Sequence, residues 1–414
     1  MRARAALCAL CALAAAAAPL LPGASAAGAM ARLRSRSGAV LGLRKVFSSG
    51  QGALSTNLTH NAFDTMQIVD LDVDGQALRV VVDTGSTNTW VASDACRRDC
   101  AGVPLFALSK ARHTTKVEPP MDISVTYGTG SFAGEAYLTT VAVGGAGGLT
   151  VPGQLVFLAD EGRDVFSTLA GEYSGIIGLG FRALAFNQHL PVFDHLCQAG
   201  LVTNNQFYFL LANPAAEFFV MGEPADFRQH FVGELRPVPV IDAYYWSVEL
   251  DDLLYDGQSV LTPEVRAKDC RSAFQGRAGL CKLVLDTGMS YGTFPRGATD
   301  QLRQARRQGC AAGGKGTISY VIGGHHYEFD YGELLGERAG DLAACSPSGV
   351  DMLDVTNEHG PLFGAGRTFM KKFLAIHRRG PGGADQDSQV LLATANKDYK
   401  GSLGSAVRDA MAAA

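Results

Sequence analysis

The chain has 414 residues, 47% of them hydrophobic and 18% charged, with a formal net charge of −4 at neutral pH. That composition supplies a large core, and the length favours two or three lobes over one. No apolar run beyond the N-terminus approaches the length of a helical bilayer span, so no such span is expected in the rest of the chain.

In chain order, Arg2 and Arg4 precede an apolar stretch from Ala5 to Ala18, and Ala24-Ser25-Ala26 supplies a small-x-small cleavage pattern. Residues 1–26 therefore read as a secretory signal peptide. Residues 27–54 hold Arg32, Arg34, Arg36, Arg44 and Lys45 and no acid, so residues 1–54 carry seven positive charges and the remainder −4 − 7 = −11. Such a segment reads either as a basic propeptide lying across an acidic body through weak ion pairs, loosened when carboxylates protonate, or as a disordered basic tail. An acidic body also argues against nucleic acid as a partner. Asn57-Leu58-Thr59 is an acceptor pattern for N-glycosylation.

Strand signals dominate the body, with short alternating apolar runs separated by Gly, Asn or Asp turns. Val69, Leu71 and Val73 alternate with Asp70 and Asp72, Asp74-Gly75 offers a turn, and Leu78, Val80 and Val82 alternate back, a pattern that predicts a hairpin with Asp83 at its tip. Helical spacing is scarce; Val192, Phe193, Leu196 and Cys197 share one face of a helix predicted over 191–199.

Asp-Thr-Gly occurs twice, at Asp83-Thr84-Gly85 and Asp286-Thr287-Gly288, each after an apolar run. Ile176-Ile177-Gly178 follows the first copy and Leu362-Phe363-Gly364 the second, so the plan of one half repeats in the other. Two such halves facing each other would bring one Asp from each to a shared cleft. Carboxyl groups close enough to share a proton do not both ionise, so one serves as acid and the other as base. A glycosidase also uses two carboxylates, but needs no symmetric Asp-Thr-Gly loops.

Of nine cysteines, Cys8 and Cys11 fall in the signal, leaving 9 − 2 = 7. Disulfides are permissible in a secreted chain, and the pairings expected are Cys96–Cys100, Cys270–Cys281 and Cys310–Cys345, with Cys197 left over; spacing alone does not fix connectivity. Beyond the signal there is no Cys-x-x-Cys or His-x-x-x-His pair, and His325, His326 and Glu328 alternate with Tyr327 and Phe329 along a strand. No metal and no cofactor are expected.

The run Val82-Asp83-Thr84-Gly85-Ser86-Thr87-Asn88-Thr89-Trp90-Val91, with Tyr127-Gly128-Thr129-Gly130-Ser131, Ser174 to Gly180, Pro191-Val192-Phe193-Asp194 and Tyr245-Trp246, resembles the pepsin-like aspartic proteases over about residues 61–396. The resemblance implies a mainly β, bilobal acid-protease fold with two β lobes of six-stranded type and a cleft between them. It implies an N-terminal lobe at 55–235 with Asp83 and the flap, a C-terminal lobe at 236–396 with Asp286, and a flexible tail at 397–414. Asp83 and Asp286 would hold the attacking water, supported by Thr84, Gly85, Ser86, Thr287 and Gly288. Tyr127, Gly128 and Thr129 would form a flap closing toward Trp90, and Ile176 and Ser290 would meet the substrate, with Tyr173 either lining the same pocket or simply part of the core. Polypeptide substrates, the chain's own propeptide as inhibitor, a monomeric state and a secreted or acidic endomembrane location in the secretory pathway follow in the same way. Position 289 is Met where most of the family carries a hydroxyl, which predicts activity persisting to higher pH or, alternatively, a silent cleft that only binds peptide. Ala365 stands where the family usually has Asp, and Arg378–Ser388 and the tail after Ala395 read as flexible surface.

Overall fold

Alternating burial along Gln67–Val73 and Gln76–Asp83 builds the first hairpin in the computed structural model. The model describes residues 52–60, 66–127, 130–166, 173–214, 217–311, 316–336, 351–352 and 359–399. The signal and most of the basic leader therefore lie outside the described residues, as do Gly128 and Thr129. The hairpin turns at Asp74-Gly75, where both residues have positive φ (51° and 81°) and the Gly75 N–H donates to Asp72 Oδ1 at 2.8 Å. That is the two-residue primed turn whose twist suits paired strands. Asp83 is thus not at the tip: it ends the return strand, at the mouth of the hairpin, because Val73 faces Gln76 and Ile68 faces Val81.

This hairpin belongs to a nine-stranded sheet that also holds Thr89–Ala92, Gly175–Gly178 and the long ribbon Gly130–Val143/Leu149–Arg163. In the second half, Arg277–Leu285 sits in a six-stranded sheet between Ser247–Leu250 and Phe363–Ala365, and a separate four-stranded sheet contains Thr317–Ile322 and His325–Asp330. The lobes are mainly β but unequal, since the long ribbon in the first half recruits strands that the second half divides between two sheets. A fourth sheet, of six strands, joins them in the order Leu54–Asn57, Phe218–Met221, Gln206–Leu210, Phe373–Arg378, Gln389–Ala395 and Phe231–Pro239. Apolar faces from both halves meet in one core that includes Val82, Phe207, Trp246 and Leu285.

The helix predicted over 191–199 is Val192–Gln198, with Pro191 at its N-cap. Cys96–Cys100 and Cys270–Cys281 are disulfides, Cys197 is a buried free thiol, and Cys310 is disulfide-bonded while its expected partner Cys345 lies outside the described residues.

Two segments expected to be flexible surface make buried or ring contacts where they are described. Arg379 is buried, donates from Nε to Asp194 Oδ1 at 2.7 Å and from Nη2 to the Gly180 carbonyl at 2.8 Å, and lies over Phe181 with its guanidinium carbon 3.7 Å from the ring centroid. A charge removed from water is held only where partners replace the water, so this one residue roots the Gly-rich turn that follows it. Past the last strand, Tyr399 donates to Asp226 Oδ2 at 2.6 Å and its ring packs on His230.

His377 is fully buried, stacked on Phe207 at 4.7 Å and edge-on to Trp246 at 5.0 Å. Burial, reinforced by the Arg379 charge, pushes its pKa down from 6.5 to about 3. The unfolded imidazole takes up its proton below 6.5 while the folded one stays neutral, so stability is lost as pH falls from 6.5 toward 3. His377→Phe, which keeps the stack and removes the titration, is expected to recover a few kcal/mol of the stability lost between pH 7 and pH 4 in urea unfolding. An equal pH dependence in variant and wild type would contradict this.

Candidate active site

Each Asp-Thr-Gly leaves its sheet in the same way. Gln76–Asp83 runs parallel to Gly175–Gly178, with Val82 opposite Ile177 and Asp83 opposite Gly178; Arg277–Leu285 runs parallel to Phe363–Ala365, with Val284 opposite Gly364. The apolar-apolar-Gly steps therefore lie beside the two triplets. Their glycines are required by space: a Cβ on Gly178 would meet Thr87 backbone at 2.4 Å, and one on Gly364 would meet Thr293 Oγ1 at 2.2 Å.

The two loops hold each other by a reciprocal exchange. Thr84 donates from Oγ1 to the Leu285 carbonyl (2.9 Å) and accepts at the same oxygen from the Thr287 N–H (2.9 Å); Thr287 donates from Oγ1 to the Val82 carbonyl (2.9 Å) and accepts from the Thr84 N–H (3.0 Å). Both threonines are buried, so these bonds form where water cannot compete. A threonine hydroxyl both donates and accepts at one oxygen, which is why this residue suits a mutual exchange.

The exchange brings the carboxyl groups to the junction. Asp83 and Asp286 are buried, and a Cβ placed on Gly85 would lie 2.3 Å from Asp286 Oδ2, so the first loop passes directly against the second aspartate. Each carboxyl accepts from the N–H two residues on, Gly85 to Asp83 Oδ1 at 2.9 Å and Gly288 to Asp286 Oδ1 at 2.8 Å. Ser86 adds a hydroxyl donor to Asp83 Oδ2 at 2.5 Å. Met289 is buried, and its sulfur accepts from Thr293 Oγ1 at 3.3 Å; a thioether has no hydrogen to give a carboxylate.

Around this junction, Trp90 donates from Nε1 to the Tyr127 hydroxyl at 2.9 Å, and Phe132 stacks on the same indole at 4.3 Å. Tyr127 ends the strand Asp122–Tyr127, at the point where the predicted flap turn begins. Ile176 is fully buried between Trp90 and Val81 and shares an apolar cluster with Tyr127 and Met289. Tyr173 is a core residue that donates to the Val165 carbonyl at 2.6 Å, and burial raises its pKa above the usual phenol range. The Ser290 carbonyl accepts from the Thr368 N–H at 3.1 Å. Trp246 ties the halves together by donating from Nε1 to the Leu179 carbonyl, while the Leu179 N–H donates to the Asp83 carbonyl, both at 2.8 Å. Gln67 and Arg367, which no motif marks, also reach the second loop. His325, His326 and Glu328 are exposed on their strand, but only His326 and Glu328 share its outer face, His325 lying at the strand start on the face of Tyr327 and Phe329, and among the described residues no three metal-ligating side chains converge.

Two β lobes that meet through twin Asp-Thr-Gly loops define an aspartic peptide hydrolase, and the chain belongs to the eukaryotic aspartyl protease family, whose model matches residues 66–378. Among curated relatives it is similar to cathepsin E of Cavia porcellus, at 30% identity over 319 residues covering 74% of this chain and 76% of that protein. It is likewise similar to cathepsin E of Rattus norvegicus, at 30% identity over 346 residues covering 79% of each chain. Pepsin A of Sus scrofa is 26% identical over 350 residues, covering 81% of this chain and 84% of the relative.

Thr84→Val keeps the side-chain shape but leaves the Leu285 carbonyl and the Thr287 N–H without this partner. It is expected to cost about 2–4 kcal/mol in urea unfolding, with Thr287→Val similar and the double variant less than additive. A cost below about 0.5 kcal/mol for both single variants would mean that the exchange does not hold the lobes together.

Proposed function

We propose that the chain is an endopeptidase that hydrolyses extended polypeptides with water activated between Asp83 and Asp286. The observation that carries this reading is the reciprocal threonine exchange, which sets Gly85 against the carboxyl of Asp286. One ionised carboxylate takes a proton from the water while its protonated partner gives one to the scissile carbonyl oxygen, yielding a neutral tetrahedral diol. Gly85 and Gly288 leave room for substrate backbone to approach. Tyr127, anchored on Trp90, closes over the substrate with Gly128 and Thr129 and excludes bulk water. Ser290 contacts the substrate near the cut, and Ile176, buried beneath Trp90, backs the pocket wall from behind.

The lobes divide at 55–235 and 236–396. The signal at 1–26 sends the chain into the secretory pathway, to an acidic or extracellular destination, and the basic segment at 27–54 occupies the acidic body as an inhibitory propeptide until acid releases it. The mature enzyme works as a monomer, with no cofactor.

Acidified proprotein is expected to cleave peptides in a manner blocked by a statine-type transition-state inhibitor, and Asp83→Ala or Asp286→Ala to lower kcat by about 10³-fold or more. If wild type and Asp83→Ala cleave at the same rate, the cleft is a peptide-binding site and the reading fails.

Met289 places no hydroxyl beside Asp286, and a donor to a carboxylate favours its charged form. Met289→Thr is therefore expected to move the upper limb of the kcat–pH profile to lower pH by roughly 0.5–1 unit, the effect of one hydrogen bond of about 1 kcal/mol. An upper limb that stays in place or rises would remove Met289 as a determinant of the working pH.

A further inference from the structure

Behind the second aspartate lies a polar chain that neither the Asp-Thr-Gly motif nor the threonine exchange requires. Gln67, the first residue of the hairpin, is completely buried. Its carboxamide, turned so that nitrogen faces the second loop, donates to the Thr287 carbonyl at 3.1 Å and accepts at oxygen from Arg367 Nε at 2.5 Å. Arg367 donates from Nη2 to Glu217 Oε2 at 3.2 Å, both side chains being only 4% exposed, and its backbone N–H donates to the Met289 carbonyl at 2.7 Å.

The Thr287 carbonyl and the Gly288 N–H are the two ends of one planar peptide unit, so gripping the first sets the direction of the second. That N–H is the donor to Asp286 Oδ1, at 2.8 Å. The sequence of contacts therefore runs from the Glu217–Arg367 pair, through the Gln67 amide and the Thr287–Gly288 peptide, to the carboxyl of Asp286. Each bond polarises the next, and the first is charge-assisted. A buried Arg–Glu pair seldom repays its desolvation in stability alone, which favours a role in fixing position. The first loop receives a serine hydroxyl at its aspartate instead, the donor that Met289 does not supply to the second.

We infer that Gln67 is a positioning residue: held by the Arg367–Glu217 pair, it fixes the Thr287–Gly288 peptide and aims the Gly288 N–H at Asp286. This rests on the reading of Asp286 as half of the catalytic pair. The charged groups around the loop are Asp83 on the facing loop, Arg367 after the strand Phe363–Ala365, and Glu217 before the strand Phe218–Met221. Lys282, on the strand of Asp286 itself, is turned to Asp242.

The test uses the full-length chain activated by acid, with Gln67→Met, which keeps the volume and removes the donor. Active sites are counted by titration with a statine-type inhibitor, so that kcat refers to folded enzyme. With the donor gone, kcat is expected to fall roughly tenfold with KM within about twofold, and the upper limb of the pH profile to move to higher pH, opposite to Met289→Thr. Inhibitor affinity measured by calorimetry is expected to weaken by a similar factor. Gln67→Glu is expected to approach wild-type kcat at the acid end, where its protonated carboxyl still donates, and to lose activity as that carboxyl ionises. The double variant Arg367→Met/Glu217→Leu is expected to shift kcat and the upper limb in the same direction as Gln67→Met, by less.

An unchanged kcat and pH profile in Gln67→Met, or a loss accounted for entirely by fewer titrated sites, would overturn the positioning role while leaving the protease reading intact. Wild type that neither turns over peptide nor binds the inhibitor would overturn both.

Discussion

Two hydroxyl groups hold this molecule's chemistry in place. Thr84 and Thr287 each donate a hydrogen bond to the chain of the opposite half and each accept one from it. Neither loop can shift without breaking bonds in the other, and these bonds are sealed from water. The apolar strands that deliver the loops, the Gly steps beside them and the Trp246 tie all set those oxygens within reach of their partners. Equal contributions from the two halves make the frame symmetric, and the differences appear one layer out, where Ser86 faces Asp83 and Met289 turns toward Thr293.

Much of this was legible in the sequence because it is local. An apolar run, an Asp, a Thr and a Gly fix a strand end and a tight loop whatever surrounds them, and doing so twice announces a pair. The Tyr127–Trp90 contact was legible through its motif blocks. What is not legible there depends on residues far apart. Gln67 looks like an ordinary polar residue at the start of a strand, and only the folded chain brings it under Thr287. The Gly-rich composition of 378–388 suggested a loose turn, whereas the outcome is decided by Arg379 finding Asp194. The helix Arg296–Ala311 went unread because its inward positions, Ala298, Leu302 and Ala305, are sparse among arginines and glutamines. Nothing local marks which strands share a sheet, so the joint sheet was also invisible.

Charge is buried here at several points. Arg379–Asp194 and Arg367–Glu217 are ion pairs inside the protein, and His377 is an uncharged imidazole packed among aromatic rings. As pH falls the buried imidazole is a liability as much as a support, since protonating it adds a charge to the core. The packing it provides thus comes with a lower limit to the pH that the fold tolerates.

The sheet that joins the two halves has a consequence for assembly during synthesis. Phe231–Pro239, the crossover between halves, pairs in that sheet only with Gln389–Ala395, the last strand described. The first half can emerge and form its hairpins while the chain is still growing, but its outgoing strand stays without a neighbour until almost the whole chain has been made. A cleft whose floor depends on both halves therefore closes late: a chain stalled before Asp286 carries one aspartate, and one stalled between Asp286 and Gln389 carries both but still leaves the joint sheet with an open edge.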